Sequence, residues 1–253
     1  MRALSLLRCT IALLSLGLAN PANSATFDSA TVLSRASQAF SGGKPVSSVE
    51  LTGTAQWFAG STKDSGPAKL TAKISGENKV ELDLSNGARI ETQSGVGDDR
   101  ECTWSGKDGV VHEVASANCW TATVWFLPHL ALQTAALPAA LSVQPGAVVA
   151  QGPQTAPHIQ HQLTIAPGKT KPAVTALIRS WSTTDLALDP ITLLPSVLKY
   201  NIHPDNNSSV NLPVEVRYSN YKEVSGIQLP MHIERYVNGG LQLSIDIDSA
   251  VVQ

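Results

Sequence analysis

Two cysteines are the side chains in this sequence whose type and spacing suggest the plainest chemistry. Cys102 and Cys119 lie 17 positions apart and flank a Lys107-Asp108-Gly109 turn. The third cysteine, Cys9, lies in the first 25 residues, which have the pattern of a cleaved leader, so two thiols remain in the mature chain. In an oxidising compartment, an even number of thiols forms disulfides by default. We therefore predict that Cys102 and Cys119 pair and tie this hairpin to the segment that follows it.

Residues that bind metals are sparse in the sequence. The nearest candidates are His112 and the pair His158 and His161, which has no adjoining glutamate and is surrounded by prolines and glycines. A zinc site needs three or four ligands at characteristic spacings. We expect these histidines to lie in solvated loops, and we predict no metal site and no cofactor.

Motifs of known enzymes are also missing. The sequence contains no Gly-x-Ser-x-Gly, no phosphate-binding loop and no His-Glu-x-x-His. Asp246 and Asp248 share one face of a predicted strand near the chain end, where carboxylates are usually solvated. Asp185, Asp189 and Asp205 stand among Pro, Thr and Asn, which is typical of turns. We predict that the protein is not an enzyme.

The composition is that of a weakly charged globular protein. Of the 253 residues, 43% are hydrophobic and 15% are charged, where about 25% is ordinary. This length predicts one domain or two small ones. The formal net charge of -2 gives no excess of basic residues, which argues against nucleic acid as a partner.

The first 25 residues have the pattern of a secretory signal peptide. Two arginines precede an apolar run over residues 10–19, and small residues follow. Cleavage would give a mature chain that begins at Ala25 or Thr26, so we expect residues 26–253 to form a single domain in the periplasm. The alternative is a permanent N-terminal anchor helix.

No segment after this leader has the sequence of a membrane span. The best candidate, Val124 to Val143, lacks charge but is interrupted by Pro128 and Pro138. We therefore predict that the protein is not an integral membrane protein, and we expect a monomer.

Hydrophobic periodicity predicts one opening helix and then an antiparallel sheet. Apolar residues recur at helical spacing from Phe27 to Phe40, after which the period changes to two. Asn86-Gly87 and Asn238-Gly239 are two-residue turns of the kind that join antiparallel strands. The same alternation predicts a strand over Ala173 to Trp181.

The middle of the chain, residues 114–168, contains no Asp, Glu, Lys or Arg over 55 positions. Apolar residues including Trp125, Leu130 and Leu132 predict short helical turns broken by prolines, followed by a Pro-, Gly- and Gln-rich connection to Thr155. One interpretation is a buried cap on the core. The other is a hydrophobic lid or one wall of an apolar cavity.

The two ends of the domain resemble a known superfamily. Residues 218–233, from Tyr218-Ser219-Asn220-Tyr221 to Met231-His232-Ile233, precede Asn238-Gly239 and a final strand. They look like the closing hairpins of LolA-like outer-membrane lipoprotein-sorting proteins. Residues 39–43 and 51–55 are similar to the opening helix and first strand of the same superfamily.

This resemblance implies a mainly β (α+β) fold, in which a curved antiparallel sheet forms an incomplete β-barrel covered by an N-terminal helix and a short helical lid. Lipoprotein carriers of this fold hold acyl chains against the concave apolar face. Strand alternation and the lid segment then give the predicted ligand-binding residues. These are Phe40, Leu51, Trp57, Leu82, Leu84, Trp125, Phe126, Leu130, Leu132, Met231 and Ile233.

The function expected from this fold is a periplasmic binding protein for acyl chains or another apolar ligand, with lipoprotein or lipid carriage to the outer membrane as its specific form. The partners would be lipid or lipoprotein acyl chains and an envelope protein. The alternative is an envelope interaction or sensory module that docks a partner protein without lipid cargo.

Overall fold

One curved antiparallel sheet organises the part of the chain that the computed structural model describes, namely residues 29–95, 100–121, 124–133, 139–148, 155–163 and 171–253. The predicted signal peptide lies outside these residues. The helices are α1 (Ser29–Ser41), α2 (Ser116–Cys119), α3 (Pro128–Gln133) and α4 (Pro172–Trp181). The strands are β1 (Ser48–Ala59), β2 (Thr62–Lys73), β3 (Asn78–Leu84), β4 (Gly87–Ser94), β5 (Glu101–Ser105), β6 (Val111–Glu113), β7 (Ala139–Val148), β8 (Thr155–Leu163), β9 (Thr184–Leu188), β10 (Pro195–Ile202), β11 (Leu212–Ser219), β12 (Lys222–Val224), β13 (Ile227–Leu229), β14 (His232–Val237) and β15 (Gly240–Val252).

Thirteen of these strands form a single open sheet. Its order is β6-β5-β4-β3-β2-β1-β15-β14-β11-β10-β9-β8-β7, and β12 and β13 form a separate hairpin. Because β6 and β7 are the two edges and do not pair with each other, the barrel is incomplete, as predicted. None of the helices in this part of the chain has the length and apolar character of a membrane span.

The closing hairpin forms at the predicted turn. Asn238 and Gly239 have φ angles of 49° and 78°, and they join β14 to β15. Positive φ at both central residues is the requirement of a type I′ turn, which asparagine and glycine meet at least cost. The turn between β3 and β4 lies one residue earlier than predicted, because Leu84 pairs with Gly87.

Two predicted elements are wrong. Residues 172–181 form helix α4 rather than a strand, and the apolar positions Val174, Leu177, Ile178 and Trp181 do recur at helical spacing. The predicted connection to Thr155 contains strand β7, which pairs with β8 from Thr155 onward. Prolines hid this pair, but Pro145 and Pro157 lie opposite each other next to a register irregularity. Pro145 is on the edge strand, and Pro157 precedes His158, the first residue of β8 that pairs with β9.

The disulfide between Cys102 and Cys119 is present, with Cα atoms 5.6 Å apart. It joins β5 to the end of α2, and so anchors the start of the charge-free segment to one end of the sheet. Closing a loop of this size stabilises the folded protein by about 3 kcal/mol. The predicted pairing is confirmed.

Candidate functional site

One arginine interrupts a row of apolar residues that runs across the concave face of the sheet. Arg235 lies on β14. The residues that pair with it on the two adjacent strands, and their own partners on the strands beyond, continue the row in both directions across the sheet. The row consists of Trp57, Leu243, Arg235, Val216, Leu198, Leu186 and Ile159. A charged residue inside such a row is unusual and needs a partner, because burying a lone charge is costly.

The partner is Glu91, which itself stands in an apolar row. Glu91 on β4 pairs with Val80, and the row continues through Leu70 on β2 to Leu51 on β1. Arg235 donates from Nη1 and Nη2 to the two carboxylate oxygens of Glu91, at 3.2 Å and 3.1 Å. Since four strands separate β4 from β14 in the sheet, this contact requires the sheet to curl around its concave side.

Two tryptophans enclose this ion pair. The Arg235 guanidinium lies 4.7 Å from the ring of Trp125 and 5.9 Å from the ring of Trp57. The guanidinium of Arg89 also lies over Trp57, 4.5 Å from the centre of its ring. Contact with an aromatic face is favourable for a guanidinium that has lost water. The two arginines and two tryptophans therefore form one cluster.

The two charges of the pair differ in their access to water. Arg235 is 8% exposed, whereas the Glu91 side chain is 44% exposed because it borders a cavity. Burial raises the pKa of Glu91, but the charge of Arg235 and its hydrogen bonds outweigh this effect and hold that pKa below its usual value. Burial lowers the pKa of Arg235, and the charge of Glu91 more than compensates. Both groups are therefore charged at neutral pH.

The cavity beside this cluster has a volume of about 450 Å³, within the range of small-molecule sites. Its walls come from β1, β3, β4, β5, α2, β10, β11, β14 and β15 and from the residues that follow α2. The aromatic, aliphatic and charged residues in its lining include Trp57, Arg89, Glu91, Trp104, Trp125, Tyr200, Ile202, Asp205, Val214, Arg235 and Val237. Aromatic and aliphatic groups thus share the cavity with two arginines and two carboxylates.

Of the predicted ligand-binding residues, Trp57 and Trp125 line this cavity. The others whose side chains the structure describes are buried together in one hydrophobic core. They are Phe40, Leu51, Leu82, Leu84, Phe126, Leu130, Met231 and Ile233. Leu132 belongs to α3, but its side chain lies outside the described part of the structure. Whether any of these residues contacts a ligand stays a prediction.

The cavity also contains residues that the sequence analysis did not select, above all Arg89, Glu91 and Arg235. One signal was available for Arg235, because it alternates with Met231, Ile233 and Val237 in a strand with an apolar inner face. No comparable signal marked Glu91. On β4, Arg89, Glu91 and Gln93 pair with inward positions of β3, so this strand turns its polar residues toward the concave side.

The charge-free segment lies over the cavity and the core. From Val124 to Leu130 every residue is buried. The Tyr218 hydroxyl donates a hydrogen bond to the Trp125 carbonyl, which ties this segment to β11. Residues 124–130 are therefore a buried cap, and through Trp125 they also form one wall of the cavity, whereas β7 and β8 of the same segment belong to the sheet.

A buried histidine joins this cap to the opening helix. Nε2 of His129 donates to the Ala36 carbonyl at 3.0 Å, and its ring lies 4.7 Å from that of Phe40. The side chain is 3% exposed, and Nδ1 has no hydrogen-bond partner in the described residues. Burial lowers the pKa of His129 to about 4, although the hydrogen bond to Ala36 acts in the opposite direction.

The stability of the protein should therefore fall as the pH decreases from 6.5 to 4. In this range the unfolded chain binds a proton on His129 and the folded chain does not, so acid favours unfolding. We expect a loss of about 3 kcal/mol from this group, since each pKa unit corresponds to about 1.4 kcal/mol. Urea unfolding at several pH values measures it. His129→Gln should flatten the curve in this range, whereas replacing the exposed His112 with Gln should leave it steep.

The structure places the remaining candidate residues mainly on strands of the sheet. The described residues contain no cluster of three or more His, Cys, Asp or Glu side chains that could hold a metal ion. His158 and His161 lie on strand β8 rather than in a loop, and Nδ1 of His158 is 3.0 Å from Asp185. Asp185 lies on β9 and not in a turn. Asp246 and Asp248 are exposed on β15, as expected.

Comparison with known proteins identifies the fold. No protein-family model and no curated protein matches the sequence. An outer membrane lipoprotein-sorting protein domain from Vibrio parahaemolyticus has a TM-score of 0.54 and 9% identity, covering 88% of this chain and 91% of that chain. A LolA superfamily protein from Nitrosomonas europaea has a TM-score of 0.52 and 12% identity, covering 89% and 93%. A DUF1329 family protein from Desulfovibrio piger also has a TM-score of 0.52 and 12% identity, covering 88% and 91%.

These similarities show that the chain has a LolA-like fold. They extend over most of this chain and most of each neighbour, so they concern the whole domain and not one hairpin. The fold expected from the resemblance in the sequence is confirmed.

Proposed function

We propose that the protein is a periplasmic carrier that binds an acyl chain in the cavity between its concave sheet and its cap. The observation that supports this most directly is the cavity of about 450 Å³, bordered by Trp57, Trp125, Ile202 and Val237. Each acyl methylene buried there would contribute about 0.8 kcal/mol to binding. A chain of moderate length would then bind usefully.

The names of the structural neighbours support the same proposal. One is described as an outer membrane lipoprotein-sorting domain, and another belongs to the LolA superfamily. Carriage of lipid or lipoprotein toward the outer membrane is the specific form of the function that we propose. It requires the leader over residues 1–25 to direct export, with the mature protein as a monomer in the periplasm.

The proposal predicts saturable binding of a fluorescent fatty acid to the purified mature protein. Val237→Trp should weaken this binding roughly tenfold or more, because the larger side chain excludes methylenes worth about 0.8 kcal/mol each. Val237 is half-buried, so the variant should fold. Trp125→Glu should weaken binding further by placing a charge in the cavity wall.

The matched control is Ile191→Glu, which introduces the same charge at a side chain that is 78% exposed and does not line the cavity. Its affinity should equal that of the unmodified protein. Circular dichroism and urea unfolding identify variants that fail to fold. An absence of binding at micromolar protein concentration would contradict the carrier and favour an interaction module that docks a partner protein.

A further inference from the structure

The cluster at the cavity wall contains more hydrogen-bond donors than acceptors. Glu91 already accepts two hydrogen bonds from Arg235, and a hydrogen bond from Trp125 further lowers its pKa. Nε of Arg235 and Nε1 of Trp57 are both buried and lack a partner among the described residues. A buried donor without a partner is energetically unfavourable.

The cluster also has one cation without an ion-pair partner. The Arg89 guanidinium lies over Trp57, and its charge helps to lower the pKa of Glu91. However, it forms no ion pair or hydrogen bond with the residues that the structure describes. Arg89 is half-buried and lines the cavity, so it is accessible to a ligand.

The other carboxylate of the lining does not neutralise Arg89. Asp205 is exposed in the loop after β10 and forms no ion pair within the described residues. Water and salt screen a carboxylate in such a position. Next to the apolar wall formed by Trp57, the charge of Arg89 is screened less.

We propose that the ligand of this cavity carries an anionic oxygen head group, which Arg89 binds while the acyl chain lies against Val214, Val237 and Ile202. The shared chemistry is a carboxylate or a phosphate at the end of an alkyl chain. This inference rests on the proposed function, since it specifies the ligand of the same cavity.

The geometry suits this assignment in two ways. A guanidinium binds carboxylate and phosphate oxygens through parallel hydrogen bonds, and stacking on an aromatic ring holds its plane in place. Arg89 has no acceptor among the described residues, and the ligand oxygen would supply one. Arg235 is less suited to this role, because it is 8% exposed and already donates to both carboxylate oxygens of Glu91.

The test compares probes that share one alkyl chain and differ in the head group. Laurate, dodecyl phosphate and dodecanol are titrated separately into the delipidated mature protein, and calorimetry gives each affinity. We expect laurate or dodecyl phosphate to bind roughly tenfold to a hundredfold more tightly than dodecanol, as a hydrogen-bonded charge contributes about 1.5 to 3 kcal/mol. The tighter of the two anions identifies the head group.

Arg89→Met should reduce the ratio of anion to alcohol affinity to about one, and Arg89→Lys should restore part of it. Arg217→Met is the matched control, because Arg217 also stacks on an aromatic ring, that of Tyr236 at 4.4 Å, but lies outside this cavity. It should keep the full ratio.

Two results would overturn the head-group assignment alone. Either all three probes bind the unmodified protein with equal affinity, or the preference for the anion survives in Arg89→Met. If no probe binds, the proposed carrier function fails together with the assignment. The outcomes therefore separate an error in the head group from an error in the function.

Discussion

Replacing Glu91 with leucine should destabilise the protein by about 3 kcal/mol, because the buried Arg235 guanidinium would lose its counterion. Arg235 is 8% exposed, and water cannot solvate its charge in place of the carboxylate. The reverse change should cost less. After Arg235→Met the Glu91 carboxylate remains charged, but it is 44% exposed at the cavity and can be hydrated, so we expect a loss of about 1 kcal/mol.

A double-mutant cycle measures this asymmetry. Urea unfolding of Glu91→Leu, of Arg235→Met and of the double variant gives three free-energy changes, and the double variant should be more stable than Glu91→Leu alone. Glu50→Leu is the control, since Glu50 pairs with Lys69 between two strands but both side chains are well exposed. It should change the stability by less than about 1 kcal/mol. Equal losses for Glu91→Leu and Glu50→Leu would contradict this account.

Structural features that depend on residues close together in the sequence were predictable from it. The alternation of apolar residues indicated the antiparallel strands, and Asn238-Gly239 indicated the closing turn because few other pairs accept positive φ at both positions. The disulfide followed from the number of cysteines left after the leader. Each of these signals spans less than about 20 residues.

Prolines and short apolar runs misled the prediction where local signals conflict. Pro145 and Pro157 suggested a loop, yet they lie opposite each other in β7 and β8. Pro145 is on the edge strand beside a register irregularity, and Pro157 precedes the first residue of β8 that pairs with β9, so their missing N–H groups are not needed there. Residues 172–181 fit both a strand and a helix. Pro172 at the first helical position and the helical recurrence of apolar side chains decide in favour of α4.

The polar part of the cavity could not be predicted from local pattern at all. Glu91 and Arg235 are separated by 144 positions, and they meet because the sheet curls through the four strands between β4 and β14. Arg89 follows the same face of β4 as Glu91, but its contact with Trp57 of β1 also depends on the tertiary structure. Contacts of this kind depend on the curvature of the whole sheet, which hydrophobic periodicity does not report.

β1 is the strand that joins the half of the sheet with Glu91 to the half with Arg235, and its backbone closely approaches that of β15 at Gly53. The register between β1 and β15 changes at Gly53, where Asp248 is an extra residue on β15. A Cβ atom added to Gly53 would lie 2.0 Å from the carbonyl oxygen of Asp246. Glycine in a strand often marks such an approach.

Gly53→Ala should therefore destabilise the protein by roughly 3 kcal/mol or more, because backbone atoms on both strands must separate to admit the methyl group. Thermal and urea unfolding measure the loss. Gly106→Ala is the matched control, since the nearest atom to its added Cβ, in the ring of Trp104, is 3.6 Å away. That variant should stay within about 1 kcal/mol of the unmodified protein. If both alanine variants are equally stable, the two strands tolerate a wider separation at Gly53, and the curl that brings Glu91 to Arg235 does not depend on this contact.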